Sequence, residues 1–140
     1  MKSKCYYRWE TKEALPLVAL QVHMDMVAVG EDGTDFDPLN DPIKPIRDDK
    51  AGTVTADGTS LGADDGAGIA VIMTLLESDA EHGPLRIIIS TNEEDGLTGT
   101  FNMDPEWVKA PKYLINVDAE DSTAMTVSTA CSALIPSSMR

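Results

Sequence analysis

Residues Asp65–Ser90 read DGAGIAVIMTLLESDAEHGPLRIIIS, and this stretch decides the fold class. Ala67, Ala70, Val71, Thr74 and Leu75 recur at helical spacing, and Ile69, Ile72, Met73 and Leu76 fill most of the remaining turns. The spacing predicts a helix over Asp65–Glu77 that is apolar nearly all round, the kind of helix that belongs between packed layers. Past the Gly83-Pro84 break, Leu85–Ser90 is a continuous run rich in β-branched residues, which predicts a buried strand bounded by Asn92-Glu93-Glu94.

Upstream, Cys5–Trp9 and Leu17–His23 read as two neighbouring strands, and Leu17-Val18-Ala19-Leu20 is apolar on both faces, which places the second of them centrally in its sheet. Gly30–Asp41 dissolves into Gly, Asp, Thr, Pro and Asn and reads as a loop. Ile43–Arg47 and Thr53–Ala56 flank the polar cluster Asp48–Gly52 and predict a hairpin. Downstream, Tyr113–Val117 predicts another strand. Strands alternating with a buried helix imply an α/β fold, a layered sheet of mainly parallel strands with packed helices.

At 140 residues, 42% hydrophobic and 25% charged, the chain has the composition of a globular protein with one core. Lys plus Arg number 11 against 24 Asp plus Glu, a net charge of −13 that repels phosphate backbones and anionic headgroups, so neither nucleic acid nor membrane is expected as a partner. Leu17–Leu20 and Ile69–Met73 are among the longest apolar runs, far too short to span a bilayer. Glu10, Glu13 and Pro16 break up the N-terminal segment, which lacks the uncharged core of a secretory signal, so a cytoplasmic location is expected. Cys5 and Cys131 form no metal or disulfide pattern and read as free thiols.

Each apolar run read as a central strand ends in ligand-type residues: His23-Met24-Asp25, Glu93-Glu94, and Asp118. Asp64-Asp65 adds a pair at the mouth of the helix. In open α/β sheets ligands gather beyond the carboxyl ends of the strands, so four separated segments can converge there. Residues two apart on a strand share a face, which lets His23 bind a metal while Asp25 supports the imidazole. In Glu93-Glu94 the adjacent side chains diverge, so one carboxylate can bind a metal while the other takes a proton from bound water. Four carboxylates at one point would repel one another, and a divalent cation removes that cost. One imidazole among oxygens suits Zn(II), Mn(II) or Co(II), and a bridging carboxylate such as Asp64 suits two ions roughly 3.5–4 Å apart sharing a hydroxide.

Taken singly, these residues have ordinary readings: His23 as a hydrogen-bonded strand end, Glu93-Glu94 as a solvated turn, Asp64-Asp65 as helix-capping acids. Their order, each after an apolar run, favours the site. Asp32, Asp35, Asp37 and Asp41 lack the spacing of a calcium loop, and His82 in His82-Gly83-Pro84 reads as part of a turn. Serine-hydrolase and nucleotide-binding motifs are missing.

The segments Leu20–Val27, Thr59–Gly66, Thr91–Gly96 and Leu114–Asp118, supported by His82–Leu85 and Asp41–Ile43, resemble the aminoacylhistidine (Xaa-His) dipeptidases. These are a branch of the co-catalytic dinuclear zinc metallopeptidases, and the likeness runs from about Leu17 to Cys131. The resemblance implies that His23 and Asp118 are ligands of one zinc and Glu94 of the other, with Asp64 bridging. It makes Asp25 the carboxylate that orients His23, and Glu93 the general base that deprotonates a bridging metal-bound hydroxide's parent water and later protonates the leaving amine. Asp65 receives no role beyond capping the helix.

The family pattern also contains an upstream helical segment, a lid or dimerisation domain, and a returning segment that supplies a further His ligand. The expectation is therefore that residues 1–140 are a partial metallopeptidase catalytic domain, an incomplete zinc-peptidase-like core from a truncated or frameshifted reading frame. The expected function is metal-dependent hydrolysis of a dipeptide substrate, Xaa-His in particular, feeble in this chain alone and accompanied by a tendency to self-associate. The alternatives are a related exopeptidase or N-acyl-amino-acid deacylase, and a non-catalytic acidic metal-binding fragment.

Overall fold

A computed structural model describes the backbone of residues 4–8 and residues 15–118 in full. Cys131 and the terminal stretch Ser132–Arg140 lie outside the described residues, as does Trp9. Strand β1 spans Lys4–Arg8, β2 Val18–His23, β3 Pro45–Asp48 and β4 Thr53–Ala56; helix α1 spans Ala63–Glu77; β5 is Leu85–Ser90, α2 Thr98–Phe101, α3 Glu106–Lys109 and β6 Tyr113–Asn116.

The main sheet has the order β1-β5-β2-β6. Strand β2 pairs in parallel with β5 on one side, Val18 opposite Leu85 and His23 opposite Ser90, and with β6 on the other, Val18 opposite Tyr113 and Gln21 opposite Asn116. The central place expected for β2 is what its apolar residues satisfy. Strand β1, by contrast, is not a neighbour of β2: it pairs antiparallel with β5, Lys4 opposite Ile89. Alternating apolar residues identify a strand but carry no information about which edge it joins, and β5 separates the two.

The parallel register brings three strand ends to one edge. Val117 donates its N–H to the Gln21 carbonyl (2.9 Å) and Met24 donates to the Ser90 carbonyl (3.1 Å), so the residues following β2, β5 and β6 emerge side by side. Because β5 and β6 lie on opposite sides of β2, the connections diverge here and leave a crevice.

Leu20, Val22, Leu85 and Ile87 project from one sheet face and bury against Ile72 of α1, with Ile69, Leu75 and Leu76 packed alongside. The opposite face carries Ala19 and Ile88, both fully buried, and Arg86, which donates to the carbonyls of Glu106 and Trp107 and ties α3 beneath the sheet. The expectation that α1 packs on both sides needs correction for the described residues: Val71 is 59% exposed and Met73 54%. An all-round apolar helix offers no stripe from which to tell the covered face from the open one.

Regular α1 geometry begins late. Gly62 precedes it in a left-handed conformation, and Asp64 and Asp65 are themselves non-helical, with a cis peptide bond between them. The hairpin forms as β3–β4, starting two residues later than expected, and Asp48 Oδ1 accepts the Lys50 and Ala51 N–H groups in its turn.

Candidate metal centre

His23, at the end of β2, is 1% exposed and is gripped at three points. Its main-chain N–H donates to Asp65 Oδ2 (3.2 Å), its Nδ1 lies 3.0 Å from the Asp25 carbonyl oxygen, and its Nε2 lies 2.9 Å from Asp64 Oδ1. A carbonyl can only accept, so Nδ1 carries a hydrogen, and Nε2 then faces a carboxylate with either a second proton or a cation between them. Asp118 Oδ2 stands 4.0 Å from the same nitrogen. Burial by itself lowers the imidazole's pKa, but the Asp64 hydrogen bond and the charges of Asp118, Asp25 and Asp64 overcome it and raise the pKa above the ordinary value.

Single ligating atoms of His23, Asp64 and Asp118 lie within 4.8 Å of one another, and so do those of His23, Glu93 and Glu94. His23 is therefore shared by two groups, and all six residues singled out from the sequence, Asp25 included, meet around it. Two details differ from the expected arrangement. Glu94 groups with His23 and Glu93 rather than with Asp64, although Asp64 and Glu94 both line a cleft of about 300 Å³ with Met26, Val27, Ser60, Gly62 and Ala63. Asp25 meets the His23 ring through its main-chain oxygen, while its Oδ1 stands 3.6 Å from Nδ1 and has no hydrogen-bond partner among the described residues.

The other Asp25 oxygen accepts the Glu94 N–H (3.1 Å). Burial works to raise the Asp25 pKa, but the backbone N–H groups of Glu93 and Glu94 outweigh it and hold the carboxyl below its usual range. Glu93 moves the opposite way: burial raises its pKa, the nearby His23 works against this, and the charges of Asp118, Glu94 and Asp25 add to the rise.

The loop that presents Glu93 and Glu94 is closed by Leu97 N–H to the Glu93 carbonyl (3.0 Å) and Thr98 N–H to the Asn92 carbonyl (3.1 Å). Gly99 follows, and a Cβ there would lie 1.7 Å from the Thr91 carbonyl oxygen, so only glycine permits this approach. The sequence gives no sign of the part Gly99 plays, and it places Asp65 in the acidic pair at the helix mouth with no role beyond capping. Asp65 is 4% exposed, and burial raises its pKa despite the N–H donors of His23 and Gly68. A Gly five residues after an acidic pair is commonplace and carries no signal, and an Asp before a helix signals a cap but not a bond to a distant strand.

An α/β sheet with one imidazole and several carboxylates at its carboxyl edge defines the class, a centre with the nitrogen and oxygen donors that divalent transition ions take. Comparison with known proteins narrows it. The chain is 40% identical over 105 residues to the cytosol non-specific dipeptidase of Escherichia coli K12, covering 74% of this chain and 21% of that protein. It is 35% identical over 88 residues to peptidase T of Streptococcus sanguinis, covering 58% of this chain and 21% of the relative. Among solved structures, aminoacylhistidine dipeptidase from Vibrio alginolyticus superposes with a TM-score of 0.73 at 37% identity, over 84% of this chain and 24% of that one. Aminopeptidase PepT from Bacillus cereus gives 0.67 at 31% identity, over 86% and 30%. No protein-family profile matches. The chain is thus a homologue of these peptidases over a shared stretch, and it spans about a fifth of the length of the curated relatives.

Proposed function

We propose that this chain forms the metal-binding core of a metal-dependent dipeptidase. The observation that carries the reading is the position of His23 Nε2, 2.9 Å from Asp64 and 4.0 Å from Asp118, with Glu93 and Glu94 grouped on the same imidazole. Ligands drawn from the ends of three parallel strands and from the head of α1 fit a divalent ion: neutral or anionic donors converge where no Lys or Arg side chain forms an ion pair with them among the described residues.

In this reading His23, Asp64 and Asp118 hold one ion, Glu94 and Asp64 contribute to a second, and Asp25 orients His23. Bound there, Zn(II), or Mn(II) or Co(II), supplies Lewis-acid polarisation of the scissile carbonyl and acidifies water. Glu93 takes a proton from the attacking water and delivers it to the departing amine, the part a carboxylate beside the ligand group can play.

The substrate is a dipeptide, with Xaa-His as the narrower choice supported by the aminoacylhistidine dipeptidase likeness. A cytoplasmic location is supported by the name of the Escherichia coli relative, and the −13 charge argues against nucleic-acid partners. No helix among the described residues is long and apolar enough to cross a membrane. Tripeptide cleavage is the second reading, favoured by the PepT likeness and by a Staphylococcus aureus tripeptidase with a TM-score of 0.64. The test is a panel of Ala-His, Ala-Ala and Ala-Ala-Ala with the Zn(II)- or Mn(II)-loaded chain. Metal-dependent cleavage of dipeptides well below the roughly 10 s⁻¹ median of enzymes is expected, Ala-His first. Preference for Ala-Ala-Ala selects the second reading, and cleavage unaffected by chelator overturns both.

A further inference from the structure

We infer that Asp65 and Gly68 act together as a positioning pair for the metal centre, through the main chain of His23. The Asp65 carboxylate is buried and divided between two donors: Oδ2 accepts the His23 N–H at 3.2 Å and Oδ1 accepts the Gly68 N–H at 3.0 Å. One side chain therefore joins the end of β2 to the first turn of α1, across 42 residues of sequence.

The bond fixes His23 relative to Asp64. Asp64 precedes Asp65 directly, and its Oδ1 meets the His23 ring, so the two consecutive aspartates hold the same histidine, one by the ring and one by the backbone. Movement of Asp65 changes the distance between two ligands without altering either ligating side chain. Gly68 makes room for this: a Cβ there would lie 2.1 Å from Asp65 Oδ1 and 2.8 Å from its Cγ, inside the volume the carboxylate occupies. Helix propensity alone favours Ala over Gly in a helix. A Gly68→Ala variant should therefore gain helix stability if the helix were all that mattered, and should lose metal affinity if the pair positions His23.

The inference rests on the reading of His23 as a metal ligand, and the test separates the two. Zn(II) is titrated calorimetrically into the full chain as wild type, Asp65→Asn, Gly68→Ala and Leu85→Ala, the last a core truncation at the far end of β5. Asp65→Asn keeps the size but replaces one acceptor with a donor. Both Asp65→Asn and Gly68→Ala are expected to bind Zn(II) about 10- to 100-fold more weakly, with altered Co(II) absorption bands, while Leu85→Ala keeps wild-type affinity despite its lost thermal stability. Equal affinity in wild type and Asp65→Asn overturns the inference, as does an equal loss in Leu85→Ala. Should wild type take up no Zn(II), the functional reading fails, and hydrogen exchange in metal-free protein decides the inference: loss of protection at the His23 amide in Asp65→Asn, kept in Leu85→Ala, supports it, and unchanged protection overturns it.

Discussion

His23 Nε2 lies 2.9 Å from Asp64 Oδ1, although 41 residues separate them in sequence. With Nδ1 facing the Asp25 carbonyl, the ring has oxygen acceptors at both nitrogens and is satisfied only when each carries a positive partner. A proton and a divalent cation compete for the Nε2 position, and most of the behaviour expected of this protein follows from that competition.

Metal retention should depend on the pair. After equilibration with Zn(II) or Mn(II) and desalting, wild type is expected to retain metal, the ion at His23, Asp64 and Asp118 more firmly than a second one at Asp64 and Glu94. A His23→Ala, Asp64→Ala double variant is expected to keep almost none. Equal metal content in the two, by elemental analysis, removes the basis for the site.

The pH dependence has a definite sign. The metal-free His23 pKa is raised, so its folded-state stabilisation is fully present below the unfolded value and is lost as pH rises through the higher folded value. Apo protein should therefore become less stable across that window. Metal affinity runs the other way, rising by about tenfold per pH unit while one proton must leave the ligand. Thermal melts with and without Zn(II) between mildly acidic and mildly alkaline pH should diverge as pH increases, and parallel curves contradict the proton–metal competition.

The strand ends were legible because β-branched runs such as Leu85–Ser90 stop at sharp polar breaks, and in a parallel sheet those breaks share an edge. The position of β1 was not legible, since its pairing with β5 is decided some 80 residues away in sequence. The tie from Asp65 to β2 was hidden for a related reason: its partner there is a backbone N–H, which has no residue type to recognise. The Asp25 carboxylate also accepts the Glu94 N–H, again a main-chain contact that no residue type announces.

The one-sided burial of α1 can be measured by paired substitutions. Ile72 is 3% exposed against the sheet, whereas the adjacent Val71 is 59% exposed. Ile72→Ala should cost about 2–5 kcal/mol through lost burial and a residual cavity, and Val71→Ala should stay within roughly 0.5 kcal/mol. Urea unfolding of both reports the difference. Comparable losses would mean that Val71 is covered in solution, by self-association for example, and sedimentation of the same samples would show it.

Gly99 should not tolerate a methyl group. A Cβ at 1.7 Å from the Thr91 carbonyl oxygen forces backbone movement, since neither atom belongs to a flexible side chain. The overpacking cost is about 1–3 kcal/mol, and the displaced segment is the one that carries Glu93 and Glu94. Gly99→Ala is expected to lower both the urea midpoint and Zn(II) affinity, and a variant with wild-type values for both would show the loop to be looser than described.

Glu93→Gln separates the two carboxylates of the acidic pair. The amide keeps the length and shape of the side chain but cannot take a proton from water, so a general base at this position predicts a loss of about 10²- to 10⁴-fold in any peptidase rate. Metal content should stay near wild type, because His23, Asp64 and Asp118 form a group to which Glu93 contributes nothing. Removing one negative charge also relieves the repulsion that raises the Glu93 pKa together with burial, so the variant should be no less stable than wild type. Glu94→Gln is the companion: its carboxylate is the proposed ligand, and metal loss should exceed that of Glu93→Gln. If metal loss instead follows Glu93→Gln, with Glu94→Gln retaining its ion and losing only turnover, the two roles are exchanged and Glu94 is the base.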